Sequence, residues 1–398
     1  MEIGVVGKPN VGKSTLFNAL TLLDVPMAPY PFTTIEPNRG ASAVRVPCPH
    51  GEKGVACTPG NARCVDGTRW VPVALVDVPG LVPGAHEGKG LGHKFLDDLR
   101  AADGFVQVVD ASGSTDEEGR LAPPHSQDPA REVAWLEEEL VAWVAEIVGR
   151  GFERDARGAE MDGRKAEELL GERLTGLSIS PTAIATALRA APIDAAHPTR
   201  WSSEDLVHLA KALLRAAKPR LIAANKCDRI APADATALAG RLDGLPMVPT
   251  AADAELTLRR AARAGLVDYR PGDPSFRTHD PAALSAPQKA ALDGIAKLLA
   301  TWGSTGVQQA LEAMVFARLQ RVVVFPVEDE HRWTDSKGRV LPDAFLVPAG
   351  TPVRAVAYRV HSELGEKFVR AIDGRTHRAL AADHPVDSGA VLRFVARR

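Results

Sequence analysis

The sequence predicts an α/β protein with two additions, and three observations predict it. Apolar runs of four to seven residues recur at 3–6, 71–76, 105–111, 220–224 and 246–249, the mark of a buried parallel sheet when helical stretches lie between them. From 130 to about 215 the apolar residues fall instead at a period near 3.6. Beyond 319, short strands return around one helix. The expected architecture is a Rossmann-like domain in two parts, 1–128 and 216–318. A helical, coiled-coil-like insertion at 129–215 splits it, and a β-grasp domain at 319–398 follows.

The first element carries chemistry. Residues 3–6 lead straight into Gly7-Lys8-Pro9-Asn10-Val11-Gly12-Lys13-Ser14, and Ser14 opens an amphipathic pattern through Leu16, Phe17 and Leu20. Strand, GxxxxGK[ST] turn and helix are the context that a phosphate-binding loop requires. Gly7 and Gly12 let the backbone wrap closely, so that amides and a helix N-terminus face an anion. The expected nucleotide-binding set is Gly7, Pro9, Asn10, Val11, Gly12, Lys13, Ser14 and Thr15. Lys13 is placed for the β/γ-phosphates of a nucleoside triphosphate and the Ser14 hydroxyl for Mg²⁺.

Prolines exclude helix from 29–38, Pro-Tyr-Pro-Phe-Thr-Thr-Ile-Glu-Pro-Asn, and leave an extended loop with two hydroxyls. A threonine in such a loop can reach Mg²⁺ and the γ-phosphate and let go after hydrolysis. Thr34 is the expected residue, with Thr33 next. At 48–64, Cys48, His50, Cys57 and Cys64 supply the donors of a Cys₃His tetrahedral site, with zinc the expected ion and a structural role. No CxxC pair is present, so unrelated cysteines in a surface loop are the alternative. The run 71–76 ends in Asp77-Val78-Pro79-Gly80. An aspartate there can hold Mg²⁺ through water, and the Gly80 amide can sense the γ-phosphate. Leu81 follows, where many nucleotide switches carry a glutamine that orients the attacking water; leucine cannot do this. His86, in the glycine-rich stretch 84–93, is the nearest titratable side chain.

After the strand at 105–111, residues 112–128 are rich in Ser, Gly, Asp and Pro and read as a linker. Val133, Leu136, Leu140, Val144 and Ile147 then share one helical face, with Glu137, Glu138 and Glu139 on a solvated one. Ser202 with Asp205 reads as a capping box. The fourth strand ends in Asn225-Lys226-Cys227-Asp228. In this pattern a carboxylate accepts from N1–H and the exocyclic amine of guanine, and adenine would leave it unpaired. The fifth ends in Thr250-Ala251, where a backbone N–H can meet guanine O6. Helices at about 287–301 and 307–319 precede the C-terminal strands, whose segment is mildly basic, 13 Lys+Arg against 10 Asp+Glu over 319–398. That balance permits RNA contact.

Composition narrows the setting. The chain has 398 residues, 45% hydrophobic and 25% charged, with net charge −2. A near-neutral balance does not announce a DNA binder, and no apolar run reaches the length of a membrane span. Four cysteines make no disulfide framework, so a reducing cytosol is expected.

Taken together, GKPNVGKS, PYPFTTIEPN, DVPGLVPGAHEGKGLGHKFLDDLR and NKCD resemble the Obg-like translation-factor GTPases, the archaeal-type YchF subfamily in particular. The run from Phe325 to Thr376 resembles a TGS domain. The resemblance implies a Mg²⁺-dependent GTP/GDP switch with Lys13, Thr34 and Gly80 as catalytic residues, acting on a ribosome or RNA-linked partner. Asn10 matches a phosphate-loop asparagine that helps bind K⁺ in related cation-dependent GTPases. Many YchF proteins depart from NKxD and prefer ATP; here Asn225, Lys226 and Asp228 are all present, which favours GTP. An ATPase of the same fold, and a nucleotide-sensing RNA or ribosome-binding module with negligible hydrolysis, are the rival expectations.

Overall fold

The computed structural model describes residues 1–22, 39–78, 100, 102–177 and 179–397. They form two compact units, one comprising Met1–Leu22 and Ala74–Ala310, the other Ala41–Val73 and Leu311–Arg398. The N-terminal strands are β1 (Glu2–Val6), β2 (Arg39–Pro47), β3 (Arg63–Val65), β4 (Thr68–Asp77), β5 (Gly104–Asp110), β6 (Arg220–Asn225) and β7 (Met247–Thr250).

In the first unit, β4, β1, β5, β6 and β7 lie in that order, and every described pair among them from β1 outward is parallel. The apolar runs are buried on both faces, with all seven residues of β5 and all six of β6 inaccessible, as a parallel sheet covered by helices requires. Helix Lys13–Thr21 buries Leu16, Ala19 and Leu20 and packs on helix Ala252–Arg263. A short hairpin of β8 (Val267–Asp268) and β9 (Arg277–Thr278) precedes helix Ala286–Trp302, which Ser285 and Gln288 cap reciprocally.

The named elements of the described insertion are all helices. Its two longest helices, Pro129–Gly149 and Ser203–Ala217, pack on each other, and Phe152–Met161, Ala166–Leu174 and Pro181–Ala190 complete the layer. The Ser202–Asp205 capping box forms. Leu136, Leu140 and Val144 enter a core that continues into Val6, Val76 and Phe105 of the sheet, each leucine contributing about 1.5–3 kcal/mol by burial. The three glutamates differ from expectation. Only Glu138 is exposed; Glu139 is buried and Glu137 receives the buried Arg220 at 2.6 Å, with Lys211 also near.

Residues 112–128 are not a linker. Ser112, Ser114 and Thr115 are buried, Thr115 bridges to Leu121, and the Gly119 carbonyl accepts from the Asn10 amide. Ser112, Ser114 and Thr115 turn inward to bond Asp110, while 117–118 and 123–126 stay exposed.

The second unit holds β2 from Ala41 onward, β3 and the first part of β4, with β3 antiparallel to β4. It also holds the C-terminal sheet of β10 (Arg321–Val327), β11 (Phe345–Pro348), β12 (Phe368–Asp373), β13 (Ala379–Leu380) and β14 (Ala390–Ala396). Their order is β11-β10-β14-β12-β13, with β10 and β14 parallel at the centre. Helix Val353–Val360 packs Val353 and Val356 against it. First and last strands side by side with one helix across them is the β-grasp plan. Before it, helix Val307–Glu312 widens into a π turn over Ala313–Arg318.

Candidate nucleotide and metal sites

Parallel register assembles the first site. Val5 pairs with Asp77, Asp110 with Asn225, and Asn225 with Thr250. The carboxyl ends of these strands therefore share one edge. Strand order reverses at β1, the crevice where ligands bind in open α/β sheets. Gly12, at φ 96°, caps helix Lys13–Thr21 in a left-handed conformation, and a Cβ there would stand 2.2 Å from Asn225 Nδ2. At Gly7 a Cβ would meet the Val108 carbonyl at 2.5 Å. Both glycines of the loop are required by close approach.

At the helix start two side chains converge on a third. Lys13 Nζ lies 3.6 Å from Asp77 Oδ1, and Ser14 Oγ donates a long hydrogen bond to Oδ2 at 3.4 Å. Oδ1 is buried and accepts no hydrogen bond. An orphaned carboxylate oxygen beside a hydroxyl is a hard oxygen donor set, and it fits Mg²⁺.

Asn225 ties three stretches together. Its Nδ2 donates to the Val11 carbonyl at 2.8 Å, and its Oδ1 accepts from the Ala252 amide at 3.0 Å and faces the Thr250 hydroxyl at 3.5 Å. Lys226, at φ 63°, donates to Asp110 at 2.8 Å and reaches Ser114 at 3.3 Å. Asp228 is exposed, with Arg229 at 3.8 Å. Thr250 and Ala251 are buried, but the Ala251 N–H donates to the Thr305 carbonyl at 2.9 Å. One of the two amides expected near guanine O6 is thus committed inside the protein, because a residue 54 positions later in the chain folds back to meet it. Thr33, Thr34, Gly80, Leu81 and His86 lie outside the described residues.

Sequence reasoning passed over Asp110, although it ends an apolar strand just as Asp77 does. Burial pushes its carboxyl up, but donation from Lys226, Ser112 and Ser114 outweighs this and holds it below the usual range. It passed over Lys8 as well. Lys8 is buried in the phosphate loop, donates to the Thr115 carbonyl at 2.8 Å and pairs with Glu132 at 3.0 Å. Glu132 sits in the first turn of helix Pro129–Gly149. Its burial drives the carboxyl up to about 7, against the pull of Lys8.

A second site lies in the other unit. Cys48, His50, Cys57 and Cys64 bring their donor atoms within 4.8 Å of one another. Cys48 Sγ and Cys57 Sγ are 3.9 Å apart, and Cys64 Sγ is 3.6 Å from His50 Nδ1. Burial pushes the Cys64 thiol up to about 12 and raises Cys57 too, so a bound ion would have to displace protons. Three thiols and an imidazole suit a thiophilic ion.

Comparison with known proteins agrees with both units. Residues 2–136 match the 50S ribosome-binding GTPase family, 223–329 the Obg-like GTPase YGR210-like, G4 motif-containing domain, and 337–396 the TGS domain. A GTP-binding protein of Methanocaldococcus jannaschii is 44% identical over 394 residues, 99% of this chain and 98% of that one. The crystal structure of a GTP binding protein from Pyrococcus horikoshii OT3 superposes with a TM-score of 0.80 at 34% identity, over 100% of both chains. The ribosome-binding ATPase YchF of Haemophilus ducreyi is 37% identical over 171 residues, 42% of this chain and 43% of that one. The chain belongs to the YchF/Obg-like family of GTP-binding proteins.

Proposed function

We propose that this chain is a GTP-hydrolysing switch that requires Mg²⁺ and acts on a ribosome or another RNA-linked partner in the cytoplasm. The observation that carries the reading is the convergence of Lys13 and Ser14 on the Asp77 carboxylate, whose Oδ1 accepts no hydrogen bond. Loop amides and Lys13 bind and orient the β/γ-phosphates, whose charge spreads over the equatorial oxygens of a loose transition state. Ser14 and Thr34 would ligate Mg²⁺ and Asp77 would hold it through water; the bound ion supplies charge neutralisation at the phosphates. Gly80 would report the γ-phosphate. Asn10 donates its amide nitrogen to Gly119, which leaves the amide oxygen as the atom a K⁺ would take. Asp228 reads the base, and Asn225 and Lys226 hold the walls. No residue is assigned to orient water.

The partner reading rests on the ribosome-binding name of the Haemophilus ducreyi relative and the match to a TGS domain. No helix among the described residues is long and apolar enough to cross a membrane. At the Cys/His cluster we infer a structural Zn²⁺, on the donor set and its spacing.

One observation favours ATP. The Ala251 amide is committed to Thr305, which weakens the guanine O6 contact, and the Haemophilus ducreyi relative is named an ATPase. Equilibrium competition between GTP and ATP in Mg²⁺, with K⁺ or Na⁺, decides. The expected result is a GTP preference that Asp228→Asn abolishes, with turnover lost in Lys13→Ala. Equal or tighter ATP binding would make the protein an ATPase, and undiminished turnover in Lys13→Ala would remove the site.

A further inference from the structure

Arg69 is completely buried, and two of its guanidinium nitrogens, Nε and Nη1, have no hydrogen-bond partner. Its Nη2 donates to the Leu341 carbonyl, and its guanidinium lies 5.7 Å from the Phe325 ring centroid. An unpaired buried cation is among the costliest things a core can hold. Across the β3–β4 ladder, Arg69 pairs directly with Cys64. Directly opposed residues of an antiparallel pair point to the same face. The half-buried Asp343 carboxyl and the Cys57 thiol both feel the Arg69 charge, and the thiols are the groups that a bound cation would turn into an anion.

Zinc held by three thiolates and a neutral imidazole carries a net charge of −1, the complement of one guanidinium. The geometry agrees. A Zn–S bond of about 2.3 Å puts tetrahedral neighbours about 3.8 Å apart, against 3.9 Å for Cys48–Cys57 and 3.6 Å for Cys64–His50. A disulfide would need sulfurs about 2.05 Å apart.

The loop these ligands pin holds the connection between β10 and β11 and the turn after β12. Thr58 N–H donates to the Val340 carbonyl at 2.8 Å and Gly60 N–H to Pro342 at 2.6 Å. Asn61 exchanges two hydrogen bonds with Ala344, both at 3.0 Å. Glu52 receives Arg375 bidentately at 2.7 and 2.8 Å, and Lys53 stands 4.7 Å over the ring of the buried Trp333.

We propose that the Cys/His centre, charge-balanced by Arg69, is the metal-dependent clasp that orders the connection between β10 and β11, residues 329–344, and the turn after β12, residues 373–376. The proposal rests on the metal reading above and gives that site a structural role, in which ion occupancy governs whether these two segments are ordered. Arg69 acts as a positioning residue that stabilises the anionic centre.

The test uses the full chain and Zn²⁺. Metal content is measured by atomic emission, and amide hydrogen exchange is followed by mass spectrometry before and after chelation. One Zn²⁺ per chain is expected. Its removal should speed exchange at 58–61 and 329–344 by about tenfold or more while β1, β5 and β6 keep their protection. Arg69→Met should lose Zn²⁺ to a competing chelator about tenfold more readily, with GTP affinity unchanged. Glu52→Gln, which cuts the clasp without touching a ligand, should keep Zn²⁺ yet loosen 373–376. A chain that binds no Zn²⁺ even after anaerobic reconstitution with the ion defeats the metal reading itself. A chain that binds Zn²⁺ but exchanges identically without it defeats the clasp alone. Wild-type Zn²⁺ retention in Arg69→Met defeats the charge pairing, and loss of protection throughout the chain defeats a local clasp.

Discussion

Asn225 shows how much a single buried amide can hold. Its two functional atoms satisfy the Val11 carbonyl of the phosphate loop and the Ala252 amide at a helix start, and the side chain lies so close to Gly12 that no other residue fits there. Asn225→Ala strands both partners in a dry site, which costs about 1–3 kcal/mol. Urea unfolding should report that loss, together with weaker binding of GTP and GDP alike, because the wall of the loop and not the base reader has gone. Gly12→Ala should be harsher toward nucleotide. Its φ of 96° strains any side chain, and the new methyl displaces the Asn225 amide. Nucleotide affinity unaltered in both variants would mean the phosphate loop is set by contacts other than these.

At the level of elements, the phosphate loop and helix Pro129–Gly149 are joined by a buried ion pair, Lys8 with Glu132. The Glu132 carboxyl stands near 7 in the folded chain, against an ordinary value of 4.5. The folded state therefore binds a proton that the unfolded state releases between these values. Stability from this group is complete below about pH 4.5 and is lost as pH rises toward 7, by at most about 3 kcal/mol. The urea midpoint of the wild type should thus fall across this window, and Glu132→Gln should flatten that slope. A wild-type curve that rises from pH 4.5 to 7 would show that Lys8 overcomes the burial penalty. This joint was not legible in the sequence, and the reason is physical. A strand, a glycine turn and a helix start announce themselves within 14 residues, since each depends on local conformational preference, so the loop from Gly7 to Ser14 could be read directly. The clustering of Cys48, His50, Cys57 and Cys64 was legible too, through donor chemistry and a loop too poor in apolar residues to fold alone. Lys8 with Glu132, Lys226 with Asp110 and the Ala251 amide with Thr305 join residues far apart in the chain. Nothing in local composition distinguishes these groups from solvated ones, and 112–128 read as a linker for that reason.

The whole molecule divides its two ligand sets between its two units. Lys13, Ser14, Asp77 and Asn225 belong to the unit comprising Met1–Leu22 and Ala74–Ala310, and the Cys/His set and Arg69 to that comprising Ala41–Val73 and Leu311–Arg398. Four apolar clusters among the described residues fall within one unit or the other. Those centred on Leu136, Ile222 and Leu299 lie in the first unit, and that of Val324, Val347 and Leu392 in the second. A ligand that binds only the folded form stabilises by RT ln(1 + [L]/Kd), about 2.7 kcal/mol at a hundredfold excess. Units with separate cores need not melt together. Calorimetry of the full chain should therefore resolve two transitions. GTP with Mg²⁺ should raise one of them, and removal of Zn²⁺ should lower the other, each leaving its neighbour within about a degree of its starting point. Equal displacement of both transitions by either ligand would mean the chain melts as one cooperative body, and a switch at the phosphate loop would then need no further device to be felt in the C-terminal sheet.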